Sequence, residues 1–140
     1  MALRRADLKV GGIHRERVVE KLSRTQLVMY SGAGGDYNPL HSDEIYTVQV
    51  AGYPTVFAHG MLTMGLTGKM LTNYVGIARL IKFGVRFTNQ VWPGDSLEAI
   101  AIVEAIREED GMHLVDLALS TVNQDGKDVL SGYATARIDP

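Results

Sequence analysis

The second half of the chain is written in alternation. From Arg79, the apolar residues Ile81, Phe83, Val85 and Phe87 interleave with Lys82, Gly84, Arg86 and Thr88, the period of a strand with one buried face. Trp92-Pro93-Gly94-Asp95 reads as a turn. Further strands are predicted over Leu97–Glu108, Leu114–Val122 and Val129–Ile138, separated by the hairpin signals Asp110-Gly111 and Asp125-Gly126. Such a strand meander has one face to cover. The cover is predicted just upstream, where Leu62, Leu66 and Met70 recur at helical spacing within Ala58–Tyr74, and Met61, Met64 and Leu71 widen the apolar surface. A long helix followed by an antiparallel meander gives a two-layer α+β fold, and residues 1–140 read as one domain.

The first half is less regular. Residues 1–12 read as a loose lead-in with a turn at Gly11-Gly12, and Arg17–Leu22 as a short strand. Ser23-Arg24-Thr25-Gln26 is a capping box, predicting a helix that carries Leu27, Val28 and Tyr30 and ends near Gly34. A second short helix is expected from about Asp43 to Val50, since Asp43 and Glu44 suit the positive end of a helix dipole.

Gly60, Gly65 and Gly68 disturb the long helix, because each costs about 1 kcal/mol relative to Ala. Close packing against a sheet, or a ligand lying against the helix, would offset that cost, and both are expected.

Composition narrows the function. Apolar residues make up 46% and charged residues 21%, which suits a globular domain, and a net charge of −2 provides no basic field for nucleic acid. The absence of cysteine removes disulfides, thiolate zinc sites and a thiol nucleophile. No apolar N-terminal segment resembles a signal peptide and no stretch is apolar enough to span a membrane, so a cytoplasmic protein is expected.

The candidate chemistry lies in Asp36-Tyr37-Asn38-Pro39-Leu40-His41. The glycines before it end a helix and Pro39 restricts Asn38, so a carboxylate and an imidazole sit on one constrained loop. Two readings of the residues stand: an acid/base pair, or an Asx-type turn in which Asp36 and Asn38 bond local backbone. A metal site from Asp36, His41, Asp43 and His59 lacks an accepted ligand spacing, so none is expected. Tyr37 fills the last glycine slot of a dinucleotide fingerprint, which argues against that use of Gly32, Gly34 and Gly35.

This six-residue run, preceded by Tyr30 and Gly35, resembles the signature of R-specific enoyl-CoA hydratases and the wider MaoC-like dehydratases. Ala58-His59-Gly60-Met61-Leu62 resembles the family's second block, in the same order and at a similar separation. Through Ala58–Gly65 the likeness extends to the catalytic subunit of mycobacterial type II fatty-acid-synthase (3R)-hydroxyacyl dehydratases. Ala33 and Thr47 depart from the family pattern without touching the acid/base pair.

The resemblance implies a hot-dog fold, a sheet wrapped around one helix. It implies reversible syn hydration of a trans-2-enoyl thioester carried on coenzyme A or acyl carrier protein, with no other cofactor. Asp36 and His41 would hold the water; which of them is the base stays open. The Gly60 N–H would stabilise the enolate oxygen. Asn38 would position His41 or the water, and His59 would line the pocket or cap the helix. Met64, Gly65, Gly68 and Leu71 would border the acyl chain. A homodimer, or a heterodimer with another hot-dog subunit, is expected.

Two other functions share the fold. A hot-dog thioesterase needs an acid on the central helix, and Gly60–Tyr74 holds no Asp or Glu. A non-catalytic acyl-binding subunit would lack the Asp/His pair.

Overall fold

The computed structural model describes residues 3–140. Strand β1 (Ile13–Val19) and helix α1 (Arg24–Gly34) precede the long helix α2 (Gly60–Val75). Strands β2 (Leu80–Phe87), β3 (Leu97–Glu109), β4 (Met112–Val122) and β5 (Asp128–Arg137) follow. All pairings are antiparallel, in the order β1-β3-β4-β5-β2. The expected meander therefore holds for β3 to β5, while β2 crosses to the far edge and pairs with β5 instead of β3. This is the α+β hot-dog architecture.

The sheet curls around α2 because its inner face is built from small and branched residues. Met70, Leu71 and Val75 of the helix pack on Ala99, Ala101, Val103, Val115, Leu117, Leu119, Ala134 and Ala136. Alanine at four of these positions lets the helix axis approach the sheet, and the larger residues fill the space between. One polar link crosses the layer: the Thr67 and Thr121 hydroxyls lie 2.7 Å apart, both fully buried. A second cluster, including Leu22, Leu27, Val56, Leu62, Val91 and Leu97, fastens α1 and the start of α2 to the strand ends.

The helix glycines answer the question their cost raised. A Cβ on Gly60 would lie 3.1 Å from the Phe87 ring, and one on Gly68 would lie 3.2 Å from Phe83. Both glycines thus admit β2 phenylalanines, whereas Gly65 faces open space.

Local signals at the turns act as predicted. The Ser23 side chain accepts from the Gln26 N–H at the start of α1, and Gly35 closes the helix in the left-handed region. Asp110 and Gly111 both have positive φ, the geometry of a tight hairpin turn.

Three expectations need correction. The first strand begins at Ile13, not Arg17, and ends at Val19. Two of its inward residues are polar and so hide the alternation: His14 stacks on Tyr74 at 4.1 Å, and Glu16 accepts from Asn73 at 2.8 Å. The lead-in is not loose over its described part. Leu3 and Leu8 pack on the core, and backbone bonds join Arg5 and Leu3 to Asp139; residues 1 and 2 lie outside the described residues. The helix expected from Asp43 is π-wound over Tyr46–Val50. Thr47 pulls it toward the preceding loop by donating its hydroxyl to the Pro39 carbonyl at 3.0 Å.

Gly132 marks the tightest place in the sheet. A Cβ there would fall onto the Gly84 carbonyl oxygen and within 2.9 Å of Val85 Cα, both backbone atoms that cannot rotate away. Gly132→Ala is therefore expected to destabilise by the upper part of the roughly 1–3 kcal/mol typical of overpacking. A thermal melt beside the wild type checks this, and an unchanged Tm would contradict it.

Candidate active site

The Asp36–His41 loop is built by its own short side chains. Asp36 Oδ1 accepts from the Asn38 N–H at 3.2 Å, and Asn38 Oδ1 accepts from the Leu40 N–H at 3.0 Å. Asn38 thereby caps a single 3-10 turn, Pro39–His41, that ends on the imidazole. The Asx-turn reading and the acid/base reading are thus not rivals, because the turn is what aims His41. Asn38 acts through backbone and makes no bond to the His41 ring.

The π-wound segment and the arm before α2 hold this turn in place. Asp43 Oδ1 accepts from the Tyr46 N–H, as a helix-starting residue should. Glu44 does not serve the helix dipole. It receives Arg24 Nη1 at 2.7 Å, the Thr55 hydroxyl at 2.7 Å and the Val56 N–H at 3.2 Å, tying α1 to the arm. These donors hold the Glu44 carboxyl down to about 2, the Arg24 bond being the largest cause.

His41 is buried and its ring is clamped at one nitrogen. Nδ1 lies 2.6 Å from the Phe57 carbonyl. A carbonyl only accepts, so Nδ1 carries the hydrogen, and in the neutral ring Nε2 bears the free lone pair. Nε2 faces Asp36 Oδ2 at 3.9 Å, beyond a hydrogen bond but short enough for one small molecule to touch both. The Asp36 side chain is 51% exposed against 10% for His41, so solvent reaches the pair from the carboxylate side.

His59 lies directly behind. Its ring stacks on His41 with centroids 3.9 Å apart and planes 27° apart, and Tyr30 packs edge-on against it. Although it stands at the N-cap of α2, its side chain makes no capping bond, contrary to the capping expectation. It turns instead to the Ser31 hydroxyl (3.0 Å) and the Asp36 carbonyl (3.2 Å). The Gly60 N–H at the first turn of α2 is left without an acceptor among the described residues.

Asp36, His41 and His59 bring potential metal ligands within 4.8 Å of one another. Their geometry does not suit one ion. A metal must lie in the plane of each imidazole that binds it, and two face-stacked rings share no nearby point in both planes.

Beside Gly60 opens a cleft of about 310 Å³, lined by Phe57, Ala58, Thr63, Phe87, Gln90 and Val91 among others. The residues expected to border an acyl chain do not converge there. Leu71 is fully buried in the core, because on a helix it shares the sheet-facing side with Thr67 and Val75. Gly68 is covered by Phe83, Gly65 is open to solvent and Met64 is half-buried.

Sequence reasoning missed Phe57, which acts through a backbone carbonyl and leaves no side-chain signal. It also missed Ser31. There a signal existed: Ser31 sits one turn after Leu27 on the buried face of α1, a polar residue where an apolar one was due.

The family profile described as MaoC like domain matches residues 9–124. The chain is 32% identical over 90 residues to 3-hydroxyacyl-thioester dehydratase Y of Mycobacterium tuberculosis, covering 62% of this chain and 31% of that protein. It is 31% identical over 121 residues to the peroxisomal enoyl-CoA hydratase 2 of Arabidopsis thaliana, covering 84% and 36%. The chain thus spans about a third of the length of these curated relatives. Among solved structures, the unliganded R-hydratase PhaJ1 of Pseudomonas aeruginosa superposes with a TM-score of 0.86 at 26% identity, covering 99% of this chain and 86% of that one.

Burial, then the proximity of His41, holds the pKa of His59 below its ordinary value of 6.5. The unfolded chain therefore takes up this proton more readily than the folded one. The His59 contribution to stability is complete above about 6.5 and is lost as pH falls through the lower folded value. Melting curves between about pH 8 and pH 5 should show Tm falling on the acid side, with a smaller fall in His59→Phe. Identical slopes in the two proteins would contradict the assignment.

Proposed function

We propose, from the premise that this chain belongs to the MaoC-like domain family, that it catalyses reversible hydration of a trans-2-enoyl thioester to the (R)-3-hydroxyacyl thioester. One observation carries the reading. The free lone pair of His41 Nε2 faces the Asp36 carboxylate at 3.9 Å, while Nδ1 is fixed to the Phe57 carbonyl. A water hydrogen-bonded to both groups needs a separation of about 4 Å.

In hydration, the pair takes one proton from this water as its oxygen bonds to C3. The electrons of the C2–C3 double bond move toward the thioester carbonyl, and the pair then returns a proton to C2. Because both groups lie on one side of the substrate, the two additions are syn. An imidazole suits the exchange because its ordinary titration falls near neutral pH. The Gly60 N–H is the donor for the enolate oxygen, since an unpaired N–H at a helix start carries partial positive charge and needs no rearrangement.

The relatives act, by their names, on enoyl-CoA and 3-hydroxyacyl thioesters. We assign this chain to the same substrate class, on coenzyme A or acyl carrier protein, without a further cofactor and in the cytoplasm. No helix among the described residues is long and apolar enough to cross a membrane. A thioesterase would need a carboxylate on α2, and Gly60–Val75 supplies none.

Hydration of crotonyl-CoA and of a longer enoyl-CoA tests the reading. Asp36→Asn and His41→Ala are each expected to lower turnover by about 10²–10⁴-fold, the usual share of a general acid or base. Tm should be nearly unchanged in Asp36→Asn, whose side chain is half exposed, and lower in His41→Ala, which empties a buried, hydrogen-bonded position. Near-wild-type turnover in either variant would refute the mechanism.

We take as the dimer edge β2, one of the two edge strands of the sheet among the described residues. Ile81 and Phe87 of this strand are each 47% exposed, and Phe87 walls the cleft beside Gly60. A second hot-dog copy pairing along this edge covers both, giving a dimer whose subunits complete each other's clefts. Sedimentation of the active protein should show two chains per particle; a stable active monomer would exclude this arrangement.

A further inference from the structure

The residues behind the acid/base pair form a connected device that the reaction itself does not use. We propose that His59 is a positioning residue: oriented by Ser31, it holds the backbone carbonyl of Asp36 with its Nε2–H and backs the ring of His41 with its face. This rests on the reading of Asp36 and His41 as the acid/base pair.

Acceptor chemistry sets the tautomer. The Asp36 carbonyl, 3.2 Å from His59 Nε2, has no proton to give, so Nε2 must carry the hydrogen. The Ser31 hydroxyl, 3.0 Å from the same nitrogen, shares that hydrogen and fixes the ring's rotation. Nδ1 is then a bare lone pair, and it is buried without a partner. A charged ring would put a second N–H there with nothing to accept it, which opposes protonation. The lowered pKa of His59 agrees with this.

Neutrality has a consequence for its neighbour. His59 is 1% exposed and lies face to face with His41. Two stacked imidazolium ions would repel, and a neutral His59 places no second charge against the His41 ring. Tyr30 also packs on the His59 ring, with centroids 4.7 Å apart.

The geometry reaches three parts of the site from one residue. The side chain holds the start of the Asp36–His41 loop. The ring supports the imidazole at the end of that loop. The backbone of His59 begins α2 directly before Gly60, whose N–H has no acceptor among the described residues. A residue that only filled space would be replaceable by an apolar ring, since its ring neighbours Tyr30 and His41 are both aromatic.

The test separates donor from ring. His59→Phe keeps a ring and removes the donor; His59→Gln keeps an amide N–H donor and removes the ring; Ser31→Ala removes the orienting hydroxyl. With crotonyl-CoA, His59→Phe should lose roughly 10- to 100-fold in kcat, the scale of a misplaced reacting group, with KM within about twofold. His59→Gln should recover most of that loss, and Ser31→Ala should fall between wild type and His59→Phe. Long-range proton–nitrogen NMR of the wild type at neutral pH should show His59 protonated at Nε2 and bare at Nδ1.

A wild-type kcat in His59→Phe overturns the proposal. So does a His59→Gln no better than His59→Phe, or an Nδ1–H tautomer in the spectrum. Absence of turnover in the wild type itself would instead remove the hydration reading, while the NMR result would still decide whether His59 holds the Asp36 carbonyl.

Discussion

The site depends on one hydrogen bond, from His41 Nδ1 to the Phe57 carbonyl at 2.6 Å. It settles which nitrogen of the ring is free, because a carbonyl can only accept. It also joins two parts of the chain that differ in origin. His41 ends a turn shaped by local Asx bonds, whereas Phe57 belongs to the extended arm that enters α2. The Phe57 N–H in turn donates to the Leu40 carbonyl at 3.2 Å, so the two segments are cross-linked by backbone on both sides of the imidazole. A ring held this way loses little freedom when it meets a substrate, which is the requirement for transferring a proton at a fixed geometry.

Around this bond the polar groups stand in two contrasting environments. The Arg24–Glu44–Thr55 cluster is exposed and gathers the strongest electrostatic contacts of the N-terminal half. In water such a pair adds little to stability by itself. Its value here is geometric, since it joins α1 to the arm that carries Phe57. Behind His41 there is the opposite environment: Ser31 and His59 are almost completely buried and bonded to each other, and burial disfavours a charge on His59. A neutral polar pair costs less to bury than an ion pair and still imposes an orientation.

The long helix serves both layers. Its sheet-facing side meets alanines, which permits a short interlayer distance, and its glycines admit the Phe83 and Phe87 rings of β2. The cost of glycine in the helix interior is offset where an aromatic ring occupies the space a Cβ would have filled. Gly65, which faces open space, has no such compensation within the single chain. The first turn of α2, kept free of a side-chain cap, presents an unpaired N–H to the cleft that Phe87 bounds.

Where a property depends on neighbours in sequence, it was legible in the chain. The capping box at Ser23, the glycine closing α1, the Asp110-Gly111 hairpin and the bounds of the last three strands follow from bonds spanning a few residues. The Asp36–His41 loop belongs to the same class, because Asp36 and Asn38 bond backbone two residues on. Strand order did not, since β2 and β3 are adjacent in sequence yet separated by two strands, and no local pattern encodes which edge a strand joins. The polar inner positions of β1 hid its start for a similar reason: His14 stacks on Tyr74 and Glu16 accepts from Asn73, residues that lie far along the chain. At the site, the identity of the acid/base candidates was readable. Their support was not, because Phe57 contributes a backbone oxygen and His59 a bond to a carbonyl 23 residues away. Only the folded chain brings those groups within reach, so tautomer, burial and the free Gly60 N–H are properties of the tertiary structure.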